Sequence, residues 1–285
     1  MADVTVAILH PGEMGAAVGA CARVHGGRVV WASEERSPAT VERARAAGLT
    51  DLGTLKAVLS ASDIVLSVCP PHGAVDLARS VAAAGFRGMY VDANAVSPDT
   101  TREIGRLVES GGATFVDGGI IGPPPGPDAG ARLYLSGKGA ERIAELFTGG
   151  PLEAIALEGA VGAASALKIC YAGWTKGTIA LLGAIRTLAA QAGVDGALVA
   201  EWQRSQPDAL KKSAQVSTSA RKAWRWIAEM EEIAATFAAA GLPDGFHRGA
   251  TEVYRRLAAY KDASTPPRLE EITTALRRAA QDRPA

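Results

Sequence analysis

No block of single-sign charge interrupts this 285-residue chain: 30 Lys and Arg stand against 30 Asp and Glu, for a formal net charge of +0. With neither a basic block nor a basic patch interleaved with aromatics, no nucleic-acid partner is expected, whereas a small anionic ligand needs only a local cationic site. No stretch approaches the roughly twenty consecutive apolar residues of a membrane span, and no basic-then-apolar leader is recognisable. No membrane association is therefore expected, and the expected location is cytoplasmic. The three cysteines, Cys21, Cys69 and Cys170, stand far apart in segments that read as apolar. That pattern points to buried thiols in a reducing compartment, not to a disulfide frame. Glu229, Glu231 and Glu232 have no histidine at ligand spacing, so no metal is expected. No internal repeat is found.

The most informative feature present is the N-terminal run Val4-Thr5-Val6-Ala7-Ile8-Leu9, which breaks at His10-Pro11-Gly12-Glu13-Met14-Gly15 into a small-residue helix. A buried strand, a tight turn and a close-packed helix present backbone N–H groups at the positive end of a helix dipole, the platform that receives a dinucleotide pyrophosphate. The G-x-G-x-x-G fingerprint expects glycine where His10 stands. Gly12 still allows close approach of the pyrophosphate, and Gly15 still allows helix and strand to pack. Pro11, Gly12, Glu13, Met14 and Gly15 are therefore candidate cofactor-binding residues.

The second strand is expected over 27–32. An acidic side chain at its end, about twenty residues after the glycines, would hold a ribose 2′-hydroxyl. Here Ser33-Glu34-Glu35-Arg36-Ser37 follows instead. Arginine offers a planar, permanently charged fork for a 2′-phosphate, and Ser33 and Ser37 add hydroxyl donors. NADP is favoured over NAD, and the two glutamates keep NAD as the alternative.

Further along, strands are expected over 63–69, 88–92, 133–137 and 152–157 and, after a turn, within 111–117, alternating with helices over 39–47, 52–60, 75–84 and 140–147 and one that begins at 97–101. Gly118-Gly119 reads as a glycine-rich stop, and 120–130, with Pro123-Pro124-Pro125, as a stiff loop. Alternating strand and helix over residues 1–159 predicts an α/β class with a doubly wound, Rossmann-type NAD(P)-binding domain. From residue 160 strand candidates all but vanish. Helical periodicity covers 163–192, 196–203, 207–216, 217–240, 245–261 and 268–281, so residues 160–285 are expected to be an all-helical substrate and dimerisation domain. The first of these helices is long enough to join the two domains. Its apolar Ile179, Leu181, Leu182, Ile185 and Leu188 suggest cover by a partner chain, hence a homodimer through the helical domain.

The Gly12–Gly15 turn, Asp92-Ala93-Asn94-Ala95-Val96-Ser97-Pro98, Asp117-Gly118-Gly119-Ile120-Ile121-Gly122 and the helix start from Gly162 to Lys168 resemble the β-hydroxyacid dehydrogenases. That superfamily includes 6-phosphogluconate dehydrogenase, 3-hydroxyisobutyrate dehydrogenase and the imine reductases. Lys168-Ile169-Cys170-Tyr171-Ala172 and Glu229-Met230-Glu231-Glu232 resemble a branch whose C-terminal domain is like that of phosphogluconate dehydrogenase. The resemblance implies that Lys168 is the acid/base for a hydroxyl or carbonyl. An amine in a partly desolvated, apolar setting has its pKa drawn toward the working pH, which suits that role. It also implies that Asn94 lies beside nicotinamide and substrate and that Cys69 and Pro70 border the nicotinamide ribose.

Two departures bear on the substrate. Tyr171 stands where the family commonly has asparagine, one turn after the lysine, and is a candidate catalytic and substrate-binding residue whose bulkier side chain has a hydroxyl that can donate a hydrogen bond or act as a second proton carrier. Where many members read Ser-Gly-Gly, this chain has Ile121-Gly122-Pro123, which removes a hydroxyl and an N–H that would hold a substrate carboxylate. Ile121 and Gly122 are candidate substrate contacts for something bulkier or less charged than a simple 3-hydroxy acid. His247 is the only histidine after residue 160 and a candidate substrate hydrogen-bonding group; Lys176 reads as a surface lysine. The expected activity is an NADP-dependent oxidoreductase that moves a hydride between nicotinamide and a hydroxyl-bearing or ketone carbon of a small molecule. The alternatives are an imine (C=N) reductase and a non-catalytic NADP(H)-binding sensor.

Overall fold

The computed structural model describes residues 4–23, 27–261 and 263–277. The chain alternates β1 (Thr5–Ile8), α1 (Glu13–Ala22), β2 (Arg28–Trp31), α2 (Pro38–Ala46), β3 (Thr50–Asp51), α3 (Leu55–Ala61), β4 (Ile64–Ser67), α4 (Ala74–Ala83), β5 (Met89–Asp92) and α5 (Pro98–Ser110). It continues through β6 (Thr114–Ile121), β7 (Ala131–Ser136), α6 (Ala140–Glu145) and β8 (Leu152–Ala156). The eight strands form one sheet in the order β3-β2-β1-β4-β5-β6-β7-β8, parallel at every pairing except β6 with β7. Strand order reverses between β1 and β4, the switch point at which such sheets bind ligands outside their carboxyl ends.

The doubly wound character follows from the period of two in each strand. Val6 and Ile8 face one apolar layer with Val18 and Cys21 of α1, Ala44 of α2 and Ile143 of α6. Ala7 and Leu9 face the other, with Val58 of α3, Ala78 of α4 and Ile104 of α5. Each such side chain removed from water contributes roughly 1.5–3 kcal/mol before entropy is counted. Two strand features depart from expectation. The two-residue β3 is exposed and carries no apolar signal. Strand β6 runs on through Gly118-Gly119 to Ile121, which reads from sequence as a stop and a loop, because β7 pairs with it antiparallel from Asp117↔Ser136 to Ile121↔Arg132.

After β8 every regular element among the described residues is helical: α7 (Ala163–Gln191), α8 (Asp195–Ser205), α9 (Pro207–Ala220), α10 (Ala223–Ala239), α11 (Gly245–Leu257) and α12 (Leu269–Arg277). The expected end of the last helix, 278–281, lies outside the described residues. The chain divides into two compact units within α7, the first ending at Ile169 and the second beginning at Cys170.

In the second unit, Lys176 corrects its expected surface placement. Its Nζ donates to Glu229 Oε1 at 2.6 Å with both side chains nearly buried, and its carbonyl accepts from Tyr254 Oη at 2.6 Å. Cys170 is the other correction: it is exposed, whereas Cys21 is buried. On the same helix Tyr171, Trp174, Leu181 and Leu188 are 45%, 62%, 57% and 66% exposed. With half-buried Thr178 and Ile185 between them they recur at the alternating three- and four-residue spacing of a helix-packing seam.

Candidate functional site

The turn after β1 is built for close approach. Gly12 precedes α1 in extended conformation with no side-chain cap, and a methyl group placed on it would meet nothing within 4 Å. Three residues on, a methyl group on Gly15 would lie 2.1 Å from the His10 carbonyl oxygen, so helix and turn tolerate only glycine there. Pro11 is buried, Glu13 exposed and Met14 half-buried. His10 itself is half-buried, and its Nδ1 is buried without a hydrogen-bond partner. Burial, aided by the Arg36 guanidinium, pulls its imidazole down to about 4, which keeps it neutral at ordinary pH.

Arg36 arrives from the loop after β2. The Arg36 N–H donates to the Ser33 carbonyl at 3.0 Å, closing a turn in which Glu35 takes φ 58, the only positive φ outside glycine among the described residues. That conformation costs an L-residue roughly 1–2 kcal/mol. Asp51 of β3 steadies the same turn, accepting from the N–H groups of Ser33 (3.1 Å) and Gly53 (2.8 Å). Ser37 caps α2, accepting from the Thr40 N–H at 3.3 Å. Glu34 and Glu35 are exposed, whereas Arg36 is half-buried with its Nε buried and unpartnered. Its charge acts on both His10, after β1, and Cys69, after β4.

At the ends of β4 and β5 a buried polar knot takes over. Asn94 Nδ2 donates to Ser67 Oγ (3.0 Å) and Asp92 Oδ2 (2.8 Å), its N–H donates to Asp92 Oδ1 (3.0 Å), and its Oδ1 accepts from the Cys69 N–H (2.6 Å). The amide's oxygen thus holds the Cys69-Pro70 loop, while its donors are spent on Ser67 and Asp92. Burial pushes the Asp92 carboxyl up to about 7, with the charge of Asp117 adding and the Asn94 hydrogen bonds opposing. Burial likewise pushes the Cys69 thiol up to about 12, with Asp92 adding.

One strand further, fully buried Asp117 pairs in register with Asp92 and ties α7 to the sheet. Its Oδ2 accepts from the N–H groups of Gly162 (2.9 Å), Ala164 (2.9 Å) and Ser165 (3.1 Å) and from Ser136 Oγ (2.8 Å). Its Oδ1 accepts from Ser165 Oγ, which is also paired with Thr101 Oγ1 at 2.7 Å. A carboxylate here satisfies orphan N–H groups of the helix start and meets the positive end of its dipole. The two glycines after it make room for that helix: a methyl group on Gly118 would lie 2.9 Å from the Asp92 carbonyl, and one on Gly119 would lie 2.7 Å from the Ala164 carbonyl and 3.0 Å from Lys168 Cβ. Lys168, half-buried, therefore stands one turn beyond the tie, its stem against β6. Its strand is three places from β1, about 14 Å along the same sheet edge.

Residues 5–148, half of the chain, match the family described as the NAD binding domain of 6-phosphogluconate dehydrogenase. The chain belongs to the β-hydroxyacid dehydrogenase superfamily. Residues 189–257 match a second family, described as a domain of unknown function, DUF1932. An uncharacterized 28.5 kDa protein from Methanothermus fervidus is 34% identical over 161 residues, 56% of this chain and 61% of that protein, so the chain spans less than two thirds of its relative's length. Among solved structures, the conserved protein MTH1747, reported as structurally similar to 3-hydroxyacid dehydrogenases, is 29% identical, with a TM-score of 0.67 over 90% of this chain and 98% of that one. The Mycobacterium tuberculosis 3-hydroxyisobutyrate dehydrogenase shares the fold at 18% identity and a TM-score of 0.70, over 97% of this chain and 100% of that one. A reductive aminase from Aspergillus terreus, solved with NADPH, shares it at 16% identity and 0.54, over 97% and 100%.

The residues present fit the dinucleotide that the matched NAD binding domain family takes: open space at Gly12, an uncapped helix start, and two buried nitrogens, His10 Nδ1 and Arg36 Nε, that lack partners. The first unit thus places Pro11 to Gly15, Arg36, Cys69, Asn94, Gly119 and Lys168 along one edge of the sheet. Other expected residues are placed differently. Ile121 is a buried strand residue at 3% exposure, not part of a loop, because the β7 pairing extends that far; Gly122 follows at φ 116. Tyr171 belongs to the exposed seam of α7. His247 is buried among Gly173 and Gly177 of α7 and Phe237 of α10, whose ring centre lies 4.2 Å away, and burial lowers its pKa. Sequence reasoning misses Asp117 as a site residue, because the helix start it ties begins at Gly162, 45 residues further along the chain, and no local pattern marks the link.

Proposed function

We propose that this protein is an NADP-dependent oxidoreductase that moves a hydride between the nicotinamide and a hydroxyl-bearing or ketone carbon of a small organic substrate. The observation that carries this reading is the tie from Asp117 to the start of α7, which with Gly119 fixes Lys168 on the sheet edge that bears the Gly12 turn. When bound, the nicotinamide supplies the hydride chemistry. Lys168 removes the hydroxyl proton in oxidation and returns one in reduction. Asn94 is a positioning residue acting through Cys69. Arg36, with an unpartnered buried nitrogen beside an otherwise exposed acidic turn, supports NADP over NAD. The exposed seam of α7 supports a homodimer formed through the helical domain.

The test is NADPH oxidation against panels of aldehydes, ketones, keto acids and cyclic imines. Turnover with a carbonyl substrate is expected, falling at least 100-fold in Lys168→Ala with NADPH binding retained. Binding with no turnover on any panel would leave a sensor, turnover on imines alone would leave a C=N reductase, and full activity in Lys168→Ala would remove the lysine from the chemistry.

A further inference from the structure

His10 is the residue that departs from the nucleotide fingerprint, and nothing in the proposed reaction uses it. Its surroundings are unusual for an imidazole at a tight turn. Nδ1 is buried and makes no hydrogen bond, and the charge that acts on the ring, Arg36, is a cation that also keeps a buried nitrogen unpartnered. Two donor-capable groups, one fixed in charge and one not, thus carry unpartnered buried nitrogens in the loops after the adjacent strands β1 and β2, with open space at the neighbouring Gly12. Left to themselves they oppose each other. A buried polar nitrogen without a partner costs about 1–3 kcal/mol, so a pair of them at the mouth of a ligand site calls for a shared acceptor.

We propose that His10 and Arg36 form a two-residue reader of a nucleotide phosphate, and that His10 takes up a proton from solvent as the phosphate binds. The inference rests on the dinucleotide reading above. The physical cause is the exchange of neighbours. In the free protein Arg36, from the β2–α2 loop, is the charge that acts on His10. Cys69, at the end of β4, shares that guanidinium's field but carries a neutral thiol, Asp92 beyond it acts on Cys69, and Glu13 in the first turn of α1 is exposed. A bound phosphate pairs with Arg36 and cancels its repulsion, while its own negative charge favours the imidazolium, whose two N–H groups are both donors. The strained Glu35 backbone, which turns the loop so that Arg36 comes inward, fits a segment shaped for that meeting. The sign follows: the proton affinity of His10 is higher in the complex, so binding is tighter at lower pH, in the window above the free imidazole's value of about 4.

Calorimetric titration of the full chain with NADPH and with NADH, in two buffers of different ionisation enthalpy, measures the protons taken up, and nicotinamide fluorescence gives Kd from pH 6 to pH 8. The expected result is net uptake in the wild type and a Kd for its phosphate-bearing nucleotide that rises about three- to tenfold from pH 6 to pH 8. In His10→Gln the His10 share of both effects disappears, leaving only the nucleotide's own phosphate titration, and His10→Gly, the fingerprint residue, behaves the same way. Uptake with NADPH alone assigns the 2′-phosphate as the group read, and uptake with both nucleotides assigns the pyrophosphate. Equal uptake in wild type and both variants, or none in the wild type, overturns the proposal while leaving dinucleotide binding intact. Failure of either nucleotide to bind overturns the dinucleotide reading and this one with it.

Discussion

Replacing Asp117 tests whether one buried carboxylate anchors the start of α7. In Asp117→Ala the hydroxyl of Ser136 can still accept from the Ala164 N–H, at 3.2 Å, and Ser165 keeps Thr101. The N–H groups of Gly162 and Ser165 are left without that acceptor in a site sealed from water. At about 1–3 kcal/mol for each stranded donor, together with the lost helix-dipole interaction, the local cost comes to about 4 kcal/mol. Asp117→Asn behaves differently. Its oxygen can occupy the Oδ2 position and its amide can donate to Ser165 Oγ, so only the charge-assisted part is lost, about 1–2 kcal/mol. Because two compact units need not unfold together, the readout is native-state hydrogen exchange of a peptide covering residues 160–170, not a single melting curve. The expected order of protection is wild type, then Asn, then Ala, with Ala reduced about 1000-fold. Protection in Asp117→Ala within tenfold of wild type, or equal loss in both variants, would refute the tie as the element that holds Lys168 in place.

Three further outcomes follow from the same geometry. Gly12→Ala should fold like wild type yet lose most NADPH affinity, because its methyl group enters open space, whereas Gly15→Ala should lower the melting temperature because its methyl group collides with the His10 carbonyl; equal thermal loss in both would contradict this division. Asp92, with its carboxyl raised to about 7 in the fold, favours the native state when protonated, so its contribution is full below the ordinary carboxylate range and is lost as pH rises through 7. Urea unfolding from pH 5 to pH 8 should show that decline in wild type and a flatter profile in Asp92→Asn, and parallel profiles would count against it. Leu181→Lys with Leu188→Lys should shift the chain from dimer to monomer in sedimentation without altering its circular dichroism; an unchanged sedimentation coefficient would remove the seam as an interface.

Much of the first unit could be read from residue pattern alone. Val4 to Leu9 has to be a buried strand because its two faces are both apolar, and Gly12 and Gly15 mark the turn because no other residue fits the observed approach at Gly15. What escaped had no local signature. Thr50-Asp51 is too short and too exposed to show a period, and its pairing with β2 is carried on beyond Asp51 by backbone bonds from Leu52 N–H to the Trp31 carbonyl and from Glu34 N–H to the Gly53 carbonyl. Gly118-Gly119 looks like a breaker, yet those glycines exist to admit the Asp92 and Ala164 carbonyls, contacts made by residues distant in sequence. Lys176 resembled any helix-surface lysine until Glu229, 53 residues away, was brought against it. In the site, residue types were legible and their commitments were not: Asn94 could be expected near the nicotinamide, but not that its amide is fully engaged with Ser67, Asp92 and Cys69.

The uneven accessibility of the thiols offers a practical handle. Cys21 is buried and Cys69 is held protonated far above neutral pH, leaving Cys170 as the exposed sulfur. A maleimide dye should therefore attach to the natural sequence at one position, two residues past Lys168 and next to Tyr171. Such a label would report nucleotide arrival or chain pairing as a change in emission, without a single engineered cysteine.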